Sequence, residues 1–269
     1  MSNDIIWRYM DLSKFIDLIN KKQLFFSRAD KFEDPFEGAT TVKRIPERRK
    51  KMEEMFDNPG PKDIPIEIGG KEVIVGTIEH AEESDRIIKK FREIYFINCW
   101  HVNNTESEAM WKLYLKSNEG IAIQTTTDAL KANIVDTSNS CIVDKVNYID
   151  YENDVMDYKY NNMSIFFHKR NHFKHENELR VVTPFLHTKV LDEDKEKLVL
   201  DEEKQSETFG IHVPIKNISR LIKNVYVSPA APDWFMEVVE SILEKYDIKN
   251  EDGAILKPNK SILKNTPYY

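Results

Sequence analysis

Glycine is scarce, 8 residues in a chain of 269. Phosphate-cradling loops place several glycines close together, and none of the Walker, dinucleotide-fingerprint, zinc-protease or nucleophile-elbow spacings occurs. Cysteine is scarcer still: Cys99 and Cys141 alone cannot build a disulfide framework, and one pair is no sign of an oxidising compartment. No apolar run approaches the roughly 18 residues that a transmembrane helix needs. Met1-Ser2-Asn3-Asp4 offers no basic stretch followed by an apolar one, so the expectation is a cytoplasmic protein without a membrane partner. Net positive charge is missing as well. Lys+Arg 39 against Asp+Glu 46 leaves −7, which excludes a globally basic nucleic-acid binder but not a local basic groove.

What the chain does have is apolar and aromatic material. Hydrophobic residues make up 41% and aromatics 11%, enough for a real core and too much for intrinsic disorder. Ile5 to Met10 is β-prone, and Leu12, Phe15, Ile16 and Ile19 then recur at helical spacing behind a cap at Asp11 or Ser13. Leu24-Phe25-Phe26-Ser27 reads as the next strand, closed by Asp34-Pro35. Ile94 to Trp100 is a near-continuous apolar run of the kind found in a central strand. A helix is expected over Thr105–Lys116, opened by the capping box Thr105-Glu106-Ser107-Glu108. Strands follow at 120–124, 141–149, 179–183, 209–215 and 221–228, with a long helix at 152–175, a solvated acidic run at 191–207 and a last helix from Asp233 to Tyr246.

The pattern predicts an α+β fold: a single domain, 1–269, with a mixed or antiparallel sheet flanked by helices. Residues 43–92 read as a helix–hairpin–helix insertion, since two alternating runs flank Gly69-Gly70 between helices at Lys43–Phe56 and Glu79–Arg92.

Four polar constellations sit close to core-like segments. Arg8, inside Trp7-Arg8-Tyr9, is either a paired strand residue or a planar clamp for phosphate or carboxylate. Ser27 through Gly38 carries Glu33, Asp34 and Glu37 among phenylalanines; turn chemistry accounts for Asp34-Pro35, and a loop over a site is the alternative. On the helix around Met110, Trp111 and Tyr114 share a face that is either core or a wall for a flat ring. In Glu176-Asn177-Glu178-Leu179-Arg180, two acids and an arginine share one strand face, either as a surface ion-pair ladder or as a carboxylate pair acting on a sugar or nucleophile.

Two further groups are weaker. His168, His172 and His175 would share a helical face, but no third or fourth ligand type accompanies them, and no metal is expected. Cys99 and His101 lie on one side of a strand, yet thiol catalysis needs an activated thiolate in an open site, and a buried structural cysteine is the simpler reading. The basic residues Lys43-Arg44 and Arg48 to Lys51 suit a solvated helix face, with docking or nucleic-acid contact as the alternatives.

Taken in order, Trp7-Arg8-Tyr9, Phe26-Ser27, Asp34-Pro35-Phe36-Glu37, Cys99-Trp100-His101, Met110-Trp111 with Tyr114 and Gly120, and Phe173 with Glu176, Glu178 and Arg180 resemble the bacterial family known as domain of unknown function 2971. The motifs span most of the chain. Phe173 replaces a usual Trp, His101 stands where Ser is common, and the 43–92 segment is long for the family.

A looser resemblance is to ADP-ribosyltransferases, in the first-strand Arg, the polar residues of the following segments and a late Glu-x-Glu. It implies an NAD-utilising transferase or NAD glycohydrolase, with NAD as substrate, a nucleotide-like ligand and a protein or nucleic-acid acceptor. Glu178 would serve the ribose, Glu176 would activate the acceptor and Tyr114 would complete the catalytic set. Arg8, Tyr9, Ser27 and Trp111 would bind the dinucleotide. The setting would be phage defence or a toxin effector, and the alternative is a non-catalytic sensor or partner-binding domain of a phage-defence system. Convergence of Arg8, Tyr114 and Glu178 on one cleft separates the two.

Overall fold

The computed structural model describes residues 3–43, 65–68, 71–74, 89–135, 140–192 and 197–265. The β-prone opening is strand β1 (Ile5–Asp11), followed by helix α1 (Leu12–Lys21), which buries Phe15, Leu18 and Ile19. Asp11 occupies the N-cap, but its side chain accepts from the Lys116 backbone N–H at 3.1 Å instead of capping the helix. Lys22 turns left-handed at φ 53° and passes the chain into β2 (Gln23–Arg28).

Strands β3 (Pro65–Ile68) and β4 (Lys71–Ile74) pair antiparallel with Ile68 opposite Lys71, the register a two-residue loop imposes. The helix expected at Lys43–Phe56, and the manner in which the hairpin meets the sheet, lie outside the described residues. Of the second flanking helix, 89–94 is described and is helical.

The apolar run is β5 (Tyr95–Val102), and α2 (Glu108–Tyr114) begins three residues later than the capping-box reading placed it: Ser107, not Thr105, accepts from the Met110 N–H. Then come β6 (Gly120–Thr126), α3 (Thr127–Asn133), β7 (Ile142–Lys145) and β8 (Asn147–Ile149). The long helix expected at 152–175 is not formed. Turns and two 3-10 segments, Asn161–Phe167 and Asn171–Glu176, flank the short strand β9 (His168–Arg170), which pairs parallel with β8. The buried Ser164, Ile165, Phe166 and Phe167 are consecutive, a spacing that one face of an α-helix cannot supply.

Strand β10 (Glu178–Pro184) precedes β11 (Thr188–Asp192) and β12 (Lys197–Leu200), a hairpin where a solvated excursion was expected. Helix α4 (Glu202–Glu207) in the same acidic run is anchored by buried Gln205, which donates to the Glu93 and Phe185 carbonyls. The chain ends through β13 (Gly210–Pro214), α5 (Ile218–Leu221), β14 (Asn224–Val227), α6 (Asp233–Lys245) and β15 (Asn259–Lys260).

Nine strands form one mixed sheet in the order β13-β2-β5-β1-β6-β14-β15, with β10 on β5 and β7 beyond it. All its pairings are antiparallel except β14 with β15. The fold is therefore α+β, as expected. One face packs on α1, α3, α5 and α6 through Ile6, Met10, Trp100, Leu179 and Val181. The other is covered by α2, through Met110 and Trp111, and by the 3-10 segments, through Ile165 to Phe167. Among the described residues no helix is long and apolar enough to cross a membrane.

One irregularity positions everything that follows. Along one edge β5 pairs continuously with β10, from Tyr95 to His101. Its other edge is shared: Phe96 and Ile97 pair with β2, whereas His101 and Val102 pair with β1. Over residues 98–100 the sheet forks, because β1 and β2 separate around α1. Backbone groups at a fork lose their ladder partners and need substitutes. Asn98, 1% exposed, donates to the Phe25 carbonyl at 2.8 Å and accepts from the Trp100 indole at 2.7 Å. Across the gap, Arg8 donates to the Cys99 carbonyl at 3.0 Å. Asn98→Ala would orphan a buried carbonyl and an indole N–H together, and should cost about 1–3 kcal/mol in urea denaturation. An unchanged midpoint would show that the fork does not depend on this amide.

Candidate functional site

The fork opens a cavity of about 600 Å³, within the roughly 300–1,000 Å³ range of small-molecule sites. Its lining includes Arg8 and Met10 together with Trp7 and Tyr9. Alternation along β1 puts those pairs on opposite faces of the sheet, and only a gap between strands brings both into one space. Lys14 and Asp17 of α1, Phe25 and Ser27 of β2, and Tyr114, Glu176 and Glu178 are also in the lining. Arg8, Tyr114 and Glu178 line this single cavity.

Arg8 enters from the α1 face. Its guanidinium lies over the Trp100 ring at 5.9 Å, and among the described residues no carboxylate comes within ion-pair distance of it. Burial pulls its pKa down from the ordinary arginine value. A cation lining a cavity without a counter-charge is an anion-binding feature, since a planar fork with spare donors matches phosphate or carboxylate.

The acidic side is built differently. Asn177, left-handed at φ 38°, separates the 3-10 turn from β10, so Glu176 is delivered by the turn and Glu178 by the strand. Both are buried, and both meet Lys169 of β9, whose Nζ lies 3.0 and 2.9 Å from the Glu176 oxygens and 2.6 Å from Glu178 Oε1. Arg180 donates through Nε to Glu178 Oε2 at 2.7 Å and binds both oxygens of Glu37, each at 2.7 Å. Glu37 is held there by the Asp34-Pro35-Phe36-Glu37 turn, in which Asp34 accepts from the Phe36 N–H at 3.0 Å. Gly38 follows at φ 71°, and a Cβ there would stand 2.7 Å from the Phe166 ring.

These surroundings drive the two carboxyls apart. Burial alone would raise the Glu178 pKa, but the charges of Arg180 and Lys169 outweigh it and hold the group well below the carboxylate range. For Glu176, burial and then the neighbouring Glu178 charge raise the pKa, against the pull of Lys169. Tyr114 OH donates to Glu176 Oε2 at 3.4 Å, and burial raises the phenol.

Of the sequence-predicted site residues, Arg8, Tyr9, Ser27, Tyr114, Glu176 and Glu178 line the cavity. Trp111 does not. It packs edge-on against Tyr9 and donates its indole N–H to Glu106 at 3.0 Å, so it braces the wall instead of offering a stacking surface. Tyr9 OH accepts from the Ser107 N–H, which ties the start of α2 to β1. The histidine face dissolves with its helix: His168 is buried and bonded to Ser164, whereas His172 and His175 are exposed. Among the described residues no group of three potential ligands could hold a metal. Cys99 lines the cavity as a neutral thiol, its pKa raised by burial and by Glu178.

The sequence reading missed Lys169 as a site residue. Its only signal was a lysine one residue beyond the apolar run Ile165-Phe166-Phe167, after His168. Comparison with protein-family models, with curated proteins and with solved structures yields no match to this chain.

Two outcomes follow from the burial. Glu178 is 3% exposed and bonded to two cations, so its charge is part of what holds the fold together. Glu178→Gln should cost about 3–5 kcal/mol in denaturant melts, because breaking a buried ion pair leaves charge uncompensated. A shift under 1 kcal/mol would contradict it. Second, burial lowers the pKa of His101 and His168, so the folded chain keeps both neutral. The unfolded chain takes up these protons near pH 6.5, and stability is therefore present above that pH and lost as pH falls toward the lowered folded values. Urea midpoints at pH 7.5 and 5.5 should differ in that direction, and the double variant His101→Asn, His168→Asn should flatten the slope.

Proposed function

We propose that this protein binds NAD in the forked-sheet cavity and cleaves its nicotinamide–ribose bond, passing ADP-ribose to an acceptor or to water. The observation that carries the reading is one cavity with an unpaired guanidinium on one side and two carboxyls of opposed pKa on the other. The order of motifs that resembles ADP-ribosyltransferases supports it.

In this reading Arg8 holds the diphosphate, Ser27 contributes to the lining of the same cavity, and Tyr114 flanks the nicotinamide. The bond from ribose C1′ to the pyridinium nitrogen breaks, and its electron pair leaves on that nitrogen, which becomes neutral. Positive charge develops on C1′ and O4′, and the fixed negative charge of Glu178 stabilises it without reorganising. The acceptor's lone pair forms the new bond to C1′, while its proton passes to Glu176, whose raised pKa makes it the better base. Neither step calls for a glycine-rich loop.

A second reading has one observation in its favour. Both Glu178 oxygens already accept hydrogen bonds, which suits a binding pocket of a sensor or partner-binding domain as well as an enzyme. Labelled NAD, incubated alone and with protein, DNA and RNA acceptors, separates the two. Nicotinamide release is expected, Glu176→Gln should slow it roughly 10²–10⁴-fold, and Arg8→Ala should weaken NAD binding. Binding without turnover would favour the sensor, and neither binding nor turnover would remove NAD altogether.

A further inference from the structure

His101 lies on β5 directly between the two strands that build the site, opposite Trp7 of β1 and Glu178 of β10. The side chain is 8% exposed and lines the cavity. Its Nδ1 stands 2.5 Å from the Glu176 backbone carbonyl. A carbonyl only accepts, so Nδ1 carries the proton of that bond, and Nε2 of the neutral ring is left with a lone pair and no hydrogen. Burial, against the pull of the Glu176 carbonyl and the Glu178 charge, keeps the ring neutral.

Nε2 is buried, and no described group donates to it. A buried acceptor without a partner is costly, and where one persists beside a cavity the missing donor is looked for in what the cavity receives. The neighbouring carboxylates already have donors. Each Glu178 oxygen accepts one hydrogen bond, from Lys169 or Arg180, and Glu176 accepts from Lys169 and Tyr114. Among the described residues His101 Nε2 is the acceptor at the acidic side that has no donor.

We infer that His101 is a ligand-contacting residue, its Nε2 accepting a hydrogen bond from a hydroxyl of the sugar phosphate that the cavity holds. The inference deepens the reading of the previous subsection by moving the hydroxyl contact from the occupied Glu178 to the unoccupied imidazole. Glu178 is left with a purely electrostatic part. Arg8 supplies the anion contact across the cavity, so the ligand class is a phosphorylated sugar and not a free one.

The test uses the full chain with selectively labelled histidine and three probes: NAD, ADP-ribose and ribose 5-phosphate. In the free protein, nitrogen NMR should show His101 protonated at Nδ1 and bare at Nε2. Adding a probe that binds should move the Nε2 resonance upfield, as hydrogen bonding to a lone pair does. In parallel, His101→Asn retains a donor for the Glu176 carbonyl but lacks the Nε2 acceptor. It should bind the same probe about five- to tenfold more weakly, the equivalent of one neutral hydrogen bond, with an unchanged circular-dichroism spectrum.

An Nε2 resonance unmoved by all three probes overturns the assignment, as does His101→Asn with unchanged affinity. Should the variant fail to fold, the wild-type resonance decides alone. If ADP-ribose or ribose 5-phosphate moves Nε2 while NAD is never cleaved, the His101 contact stands and the NAD-cleavage reading falls. If NAD is cleaved and Nε2 never moves, the reverse holds.

Discussion

The buried guanidinium of Arg180 is the group on which the site depends. It is 0% exposed, and its donors reach Glu178 on its own strand, both oxygens of Glu37 in the Asp34–Gly38 turn, and the Phe166 carbonyl in a 3-10 segment. Three stretches of chain that share no secondary structure are thus fixed to one another through one side chain. Taking a guanidinium out of water is strongly unfavourable unless its donors are satisfied, so the turn, the 3-10 segment and β10 are stable together or not at all. Lys169 extends the arrangement to Glu176. Five charges result, with one carboxylate in excess, and the excess falls beside the cavity. Of the two carboxyls that line the cavity, Glu176 takes a proton more easily, because Glu178 sits between two cations and Glu176 beside one.

The fork in the sheet explains why the opposite side carries a cation with no such partner. Arg8 lies on the α1 face and the carboxylates on the other, so an uninterrupted sheet would separate them by its own thickness. Where β1 and β2 part, Arg8 donates to the Cys99 carbonyl and lines the cavity. The space is therefore polarised across the sheet. Anionic groups are favoured at Arg8, and developing positive charge is favoured at Glu178. A dinucleotide with a diphosphate at its middle and a pyridinium ribose at one end has that same polarity.

Much of this was present in the sequence, and the part that was not has a common cause. Local signals sufficed for β1 and α1, for the buried run of β5, and for the Gly69-Gly70 hairpin, since alternation and turn chemistry are properties of neighbouring residues. They failed at 152–175. The aromatic density there suggested a helix, but the buried residues 164–167 are consecutive, because tertiary packing on two sides overrides helical periodicity. Six of the residues named from the sequence line the cavity: Arg8, Tyr114, Glu176 and Glu178 stood out as polar side chains embedded in apolar runs, whereas Tyr9 and Ser27 came from the resemblance to ADP-ribosyltransferases. Trp111 was misplaced because a wall and the brace behind it share one helix face. Glu37 and Arg180 are separated by 143 positions, and a pairing at that distance leaves no trace in either local pattern. Glu178 lines the cavity, but nothing near it in sequence announces its partner Lys169.

That environment decides how two carboxyls so close together divide their work. Two identical carboxyls in one site lose their protons in two steps that belong to the pair and to neither group. Here the difference is imposed from outside. Arg180 and Lys169 hold Glu178 ionised across the physiological range, while Glu176 gains a proton more readily and has Tyr114 within hydrogen-bond reach. A permanently charged group cannot exchange protons, and a group that exchanges protons cannot supply constant charge. The pair therefore covers both requirements of a reaction that develops positive charge and then deprotonates an acceptor. The same ion pairs place one hydrogen bond on each Glu178 oxygen, whereas His101 Nε2 has no donor among the described residues. The strand neighbour opposite Glu178, His101, presents a neutral acceptor through the register that sets β10 against β5.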